Sequence, residues 1–74
     1  MSFIQYYETR VSSSFVYIDN LNHRFFNVVV ENGVRDTKNF FIYTNKGVCV
    51  RSERGFETLT AALDAATKVI TSEV

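Results

Sequence analysis

The chain is expected to fold as an α+β domain, a four-stranded antiparallel sheet followed by one C-terminal helix (ββββα). Three observations predict this. Apolar residues alternate with a period of two along most of the first fifty residues, turn-forming clusters of Asn, Ser and Gly separate these runs, and from Phe56 the apolar spacing changes to three and four. Residues 1–74 make one domain, with strands inside 2–51 and the helix over about 56–72. So short a chain buries only about 60% of its unfolded surface, so pairing into a homodimer adds burial that it lacks alone.

The first strand is expected in "SFIQYYETR", rich in aromatic and β-branched residues, with Ser12–Ser14 breaking the pattern. "FVYID" alternates next, and Asn20–His23 forms a turn in which two asparagines tolerate unusual backbone angles. "RFFNVVVEN" alternates again and ends at Asn32-Gly33, a strong local turn signal. "NFFIYT" is a further strand. Asn45-Lys46-Gly47 is then either a tight hairpin or a glycine kink inside one long strand running to Val50.

In the last third, Phe56, Leu59, Leu63, Ala66 and Ile70 fall on one helical face, widened by Ala62, Ala65 and Val69. This stripe belongs to the core or to a dimer contact. Thr58 or Ser52 is a candidate cap, and Gly55 a candidate sharp turn into the helix.

One helix covers one face of a sheet. The expected inner set is Val16, Ile18, Phe26, Val28, Val30, Val48 and Val50. The opposite parity presents Phe15, Tyr17, Phe25, Asn27, Val29, Cys49 and Arg51, too aromatic a set to face water unoccupied. A second subunit or a stacked ligand is expected there.

Composition excludes several classes. A hydrophobic content of 46% is too high for a disordered tail. No apolar run approaches the roughly 20 residues of a membrane span, and "MSFIQYYETR" lacks a signal-peptide pattern. Cys49 has no second cysteine to pair with, which fits a reducing, intracellular compartment. His23 has no metal-ligand companions, Ser12–Ser14 no His-Asp partners, and no glycine-rich phosphate loop is present. The expectation is therefore no enzyme, metal, cofactor or small-molecule substrate. The formal net charge is zero, but 33–55 carries Arg35, Lys38, Lys46, Arg51 and Arg54 against Asp36 and Glu53, so the middle of the chain is basic.

"KGVCVRSERGFETL", Lys46 to Leu59, resembles the signature of the positive cofactor four family of single-stranded-DNA-binding proteins. There the last strand ends in Lys-Gly-aliphatic-x-aliphatic, and an acidic residue, an aromatic and a leucine open the single helix. Here these positions are Lys46, Gly47, Val48, Val50, Glu53, Phe56 and Leu59. "FVYIDNLNHRFFNVVVEN" is similar to the family's two central strands, and the likeness spans about residues 13–65. Asn22 stands where the family has a turn lysine, and Asn32-Gly33 where it has an aromatic.

The resemblance implies a non-enzymatic homodimer that binds single-stranded DNA, in preference to RNA, in transcription, replication, recombination or repair. Lys46 matches the family lysine and Arg24 its basic residue after the central turn, while Arg35 and Lys38 fall in its basic loop. Such binding needs cations for phosphates and flat rings for bases. Arg10, Arg24, Arg35, Lys38, Lys46 and Arg51 are the candidate cations, and Tyr17, Phe25 and Tyr43 the candidate rings. The rival expectation is a small protein-binding accessory or inhibitor factor using the same aromatic sheet face, which the zero net charge favours.

Overall fold

The computed structural model describes residues 3–72. Strands β1 (Phe3–Glu8), β2 (Ser12–Asp19), β3 (Arg24–Asn32), β4 (Lys38–Thr44) and β5 (Cys49–Phe56) precede one helix, α1 (Leu59–Ser72). The strands lie in chain order in one sheet, each antiparallel to the next. The class is the expected α+β, but the sheet has five strands and not four. No helix of the described residues is long and apolar enough to cross a membrane.

The fifth strand exists because Asn45-Lys46-Gly47 is a hairpin. Thr44 N donates to Val48 O at 2.8 Å, and Gly47 N donates to Thr44 O at 2.9 Å. The Thr44 hydroxyl accepts from the backbone N–H of Lys46 and Val48, and Gly47 takes a φ of 86° that a side chain would strain. The first turn is likewise displaced from its expected place. Thr9 Oγ1 accepts from the N–H groups of Val11 and Ser12, closing the turn before the serines, so Ser12–Ser14 belong to β2.

Cross-strand rows define the two faces. On the helix side run Phe3, Tyr17, Phe26 and Thr44, then Gln5, Phe15, Val28, Ile42 and Arg51, then Glu8, Ser13, Val30, Phe40 and Glu53. Phe15, Tyr17, Phe26, Val28, Val30, Phe40 and Ile42 are buried there against Ala62, Leu63, Ala66, Val69 and Ile70 of α1. The expected helical stripe is thus the core face of α1, and Thr58 Oγ1 caps it by accepting from Ala61 N at 3.0 Å.

Further expectations need correcting. β2 has the opposite parity: Phe15 and Tyr17 point inward, and Val16 and Ile18 face away from the helix. The helix rests on β3, β4 and β5, so the β1–β2 side has to close with its own large rings. Phe3 packs edge-on to Tyr17 at 4.9 Å and to Phe15 at 5.9 Å, which a valine and an isoleucine could not replace. Second, Val48 and Val50 are exposed, because they lie in the hairpin and at an irregularity of the edge strand. Third, Phe56 ends β5 instead of opening the helix, and stacks on Phe40 at 5.5 Å. Gly55, at φ 92°, bends the end of that strand and does not begin the helix.

The inward parity of β2 is directly testable. Tyr17→Ala should cost about 3–5 kcal/mol in urea unfolding, as large aromatic-to-alanine changes in a core do. A cost below about 1 kcal/mol would return Tyr17 to the open face.

Candidate interaction face

The side of the sheet away from α1 is uncovered. Its middle rows are Ile4, Val16, Asn27, Tyr43 and Cys49, and beside them Tyr7, Ser14, Val29, Phe41 and Ser52. Ile18 and Phe25 close the end nearest the β2–β3 turn. Ile4, Tyr6, Tyr7, Ile18 and Phe25 are exposed by 37–60%, far more than isolated apolar surface residues require. Tyr6 is the extra residue of a bulge in β1, and its hydroxyl reaches Asn27 Oδ1 at 3.5 Å, so its ring crosses this face. A shallow hollow of 390 Å³ opens between Val16, Ile18, His23 and Phe25.

The charges border this field and do not cross it. Glu31 lies at the far end of β3 beside Asn39, and Arg54 borders Asn39 and Phe41 at the β5 edge. Of the candidate cations, Arg24, Lys38 and Arg51 share rows with helix-side residues. Arg51 is ion-paired to Glu53 at 2.6 Å, and Lys38 Nζ donates to Asn32 Oδ1 at 2.6 Å. Arg10, Arg35 and Lys46 sit in three different turns, the first two at one end of the sheet and Lys46 at the other. The structure does not bring the six together.

Arg24 carries a structural task instead. Its Nε donates to Asp19 Oδ2 at 2.8 Å, another guanidinium nitrogen donates to the Ile70 carbonyl at 3.3 Å, and the group lies 5.0 Å from the centre of the Phe26 ring. A cation on a carbonyl of the last helical turn satisfies an orphan acceptor and suits the helix dipole. Asn22 supports Asp19 from the turn through its side-chain amide at 3.0 Å, and His23, at φ 54°, closes that turn.

The candidate rings divide as the parities do. Tyr17 is core and unavailable for stacking. Phe25 and Tyr43 are on the open face, joined there by Phe41 and Tyr6, which the sequence reading missed. For Phe41 the signal was present: of two adjacent strand phenylalanines one must face away from the core. Among the described residues no group of His, Cys, Asp and Glu side chains is placed to hold a metal ion. Cys49 is exposed, with its Sγ against the Arg51 carbonyl at 3.6 Å.

No family model, curated protein or solved structure matches the chain. In the fold, Lys46-Gly47 of the family-like motif forms the β4–β5 turn, Glu53 and Phe56 lie in β5, and Leu59 opens α1.

The Asp19 network makes a pH prediction. Hydrogen bonds from Arg24 and then Asn22 hold its carboxyl below the usual carboxylate range. A lowered folded value means that the contribution is complete above the unfolded value near 3.9 and is lost as pH falls through the folded one. The melting temperature of the native protein should therefore fall more steeply below about pH 4 than that of Asp19→Asn. Parallel acid profiles in thermal unfolding would show that Asp19 adds nothing to the fold.

Proposed function

We propose that this chain is a non-catalytic binding module whose uncovered sheet face docks on protein. One observation carries the reading: the aromatic and aliphatic rows of that face contain no charged side chain, and Glu31 and Arg54 lie only at its margin. Burying such a field contributes a gross apolar term of about 25 cal/mol per Å², from which the costs of association are subtracted. A nucleic-acid site draws most of its affinity from cations along phosphates, and here half of the candidate cations point to the helix side.

A second reading keeps the single-stranded DNA of the sequence resemblance, because Phe25, Phe41 and Tyr43 share one face with Lys46 and Arg54 near its ends. Stacked bases contribute about 1–3 kcal/mol each, and this platform offers several rings.

Fluorescence anisotropy with a labelled thymidine oligonucleotide at low and moderate salt separates the two. Protein docking expects no saturable binding below about 100 µM and no effect of Lys46→Glu, since stacking without counterion release is weak. Micromolar binding that falls with salt and is lost in both Phe25→Ala and Lys46→Glu would give the face to a single strand.

A further inference from the structure

We propose that β1 is a displaceable cover and that the edge of β2 beneath it is a binding site for an extended strand of another protein, added by β-augmentation. This site lies in the plane of the sheet, apart from the open face, and its occupant takes the place of β1.

β1 is weakly anchored. Its residues 4–8 are all exposed, and α1 rests on the other side of the sheet, over β3, β4 and β5. Among the described residues of β1, only Phe3 packs on the core, edge-on to Phe15 and Tyr17. The next helix-side residue is Gln5, an exposed amide opposite buried Phe15. The ladder itself is interrupted between Gln5 and Tyr7, where Tyr6 bulges out and reaches Asn27 Oδ1 only at 3.5 Å. A segment with few buried contacts and a broken ladder opens well before the whole domain unfolds.

β2 is the opposite case. It pairs with β3 at every residue of Ser12–Asp19 without a shift, and Phe15 and Tyr17 seat it in the core. The far half of the β1–β2 turn is tied to β3 independently of β1. Asn32 N donates to the Val11 carbonyl at 2.8 Å, and Asn32 Nδ2 to the Arg10 carbonyl at 3.4 Å. β1 therefore swings out from Thr9 while β2 stays in place. The extra residue of the bulge belongs to β1, so the edge unmasked on β2 is a regular run of N–H and C=O groups.

The pairing pattern defines the occupant. Tethered β1 acts at an effective concentration of order mM, so a displacing strand has to pair better than β1 does. With an aromatic residue opposite Tyr17, a bulge-free antiparallel strand sets its next helix-side residue opposite Phe15. The fitting sequence is aromatic-x-aliphatic, the aliphatic side chain covering Phe15 where β1 brings Gln5. The β1 of a second copy carries the same bulge and the same Gln5, so exchange between copies gains no pairing. The partner is a different chain.

Two labelled peptides, titrated with the full chain in fluorescence anisotropy, test the edge. One is residues 3–10 as they stand, and the other is the same segment with Tyr6 deleted and Gln5→Val. The second should bind at least about 10-fold more tightly, having lost the bulge and gained an apolar contact. Its binding should vanish when β1 is locked by a disulfide in Ile4→Cys/Val16→Cys with Cys49→Ser, and return on reduction. Ile4 and Val16 are directly opposed, within reach of such a bond. Hydrogen exchange needs no variant: β1 amides of the native chain should exchange at least about 10-fold faster than those of β3 and β4.

No binding of the modified peptide at about 1 mM, equal affinity for the two peptides, or β1 amides as protected as those of β3 would overturn the proposal. So would binding that survives the lock; if it is lost in Phe25→Ala, the peptide sits on the open face, and the docking reading stands without the edge. A dimer in sedimentation velocity that the lock abolishes would give the edge to a second copy and overturn the choice of partner.

Discussion

The geometry of the domain depends on a mismatch of widths. A helix is about 10–12 Å across, whereas five strands span about 24 Å. One helix of 14 residues therefore covers part of one face and none of the other. It settles on β3, β4 and β5, where Val28, Phe40 and Ile42 lie fully under it. The remaining inner strip, over β1 and β2, is closed by Phe3, Phe15 and Tyr17 packed on one another. Once these rings are committed inward, strand alternation places Val16 and Ile18 outside. The apolar open face follows from the shortage of helix.

The same shortage decides where the charges go. α1 ends beside the β2–β3 turn, and its last carbonyls need donors. Arg24 supplies one while pairing with Asp19, and its Cζ stands 5.0 Å from the ring of Phe26. Arg51 and Glu53 are ion-paired along the helix side of the edge strand. A segment that is basic along the chain is consequently not a basic surface. Its cations are divided between helix side, turns and margin, and the middle of the open face is left neutral.

Most of the architecture was legible in the sequence because periodicity reports it directly. The helical stripe from Leu59 to Ile70, the inward parity of β3 and the single helix after an antiparallel sheet all follow from spacing. The strand count and the parity of β2 do not. The hairpin at Asn45–Gly47 is decided by the Thr44 hydroxyl and the φ of Gly47, and a Lys-Gly pair is equally compatible with a kink. In β2 both alternating sets are apolar, so period two says that one faces in without saying which; the ring of Phe3, packed on Phe15 and Tyr17, decides. Of the candidate site, Phe25 and Tyr43 were placed on the surface they occupy, whereas Tyr17 and Arg24 were not. The side of a strand residue depends on what its neighbours across the sheet need, and that information is long-range.

Growth of the sheet at its edges would be another route to burying apolar surface, but the edge strands oppose it. Extension needs a straight run of unpaired N–H and C=O groups to template an incoming strand. β1 is broken by the bulge at Tyr6, and β5 changes register between Ile42 and Tyr43 and again between Lys38 and Phe40. Gly55 adds a positive φ at the end of β5. Bulges coil an edge and turn its hydrogen-bonding groups out of line. With both edges irregular and one face covered in part by α1, the uncovered apolar surface is the open face. The sheet is blunted in the plane in which strands add, and its exposed apolar side chains lie on the open face instead.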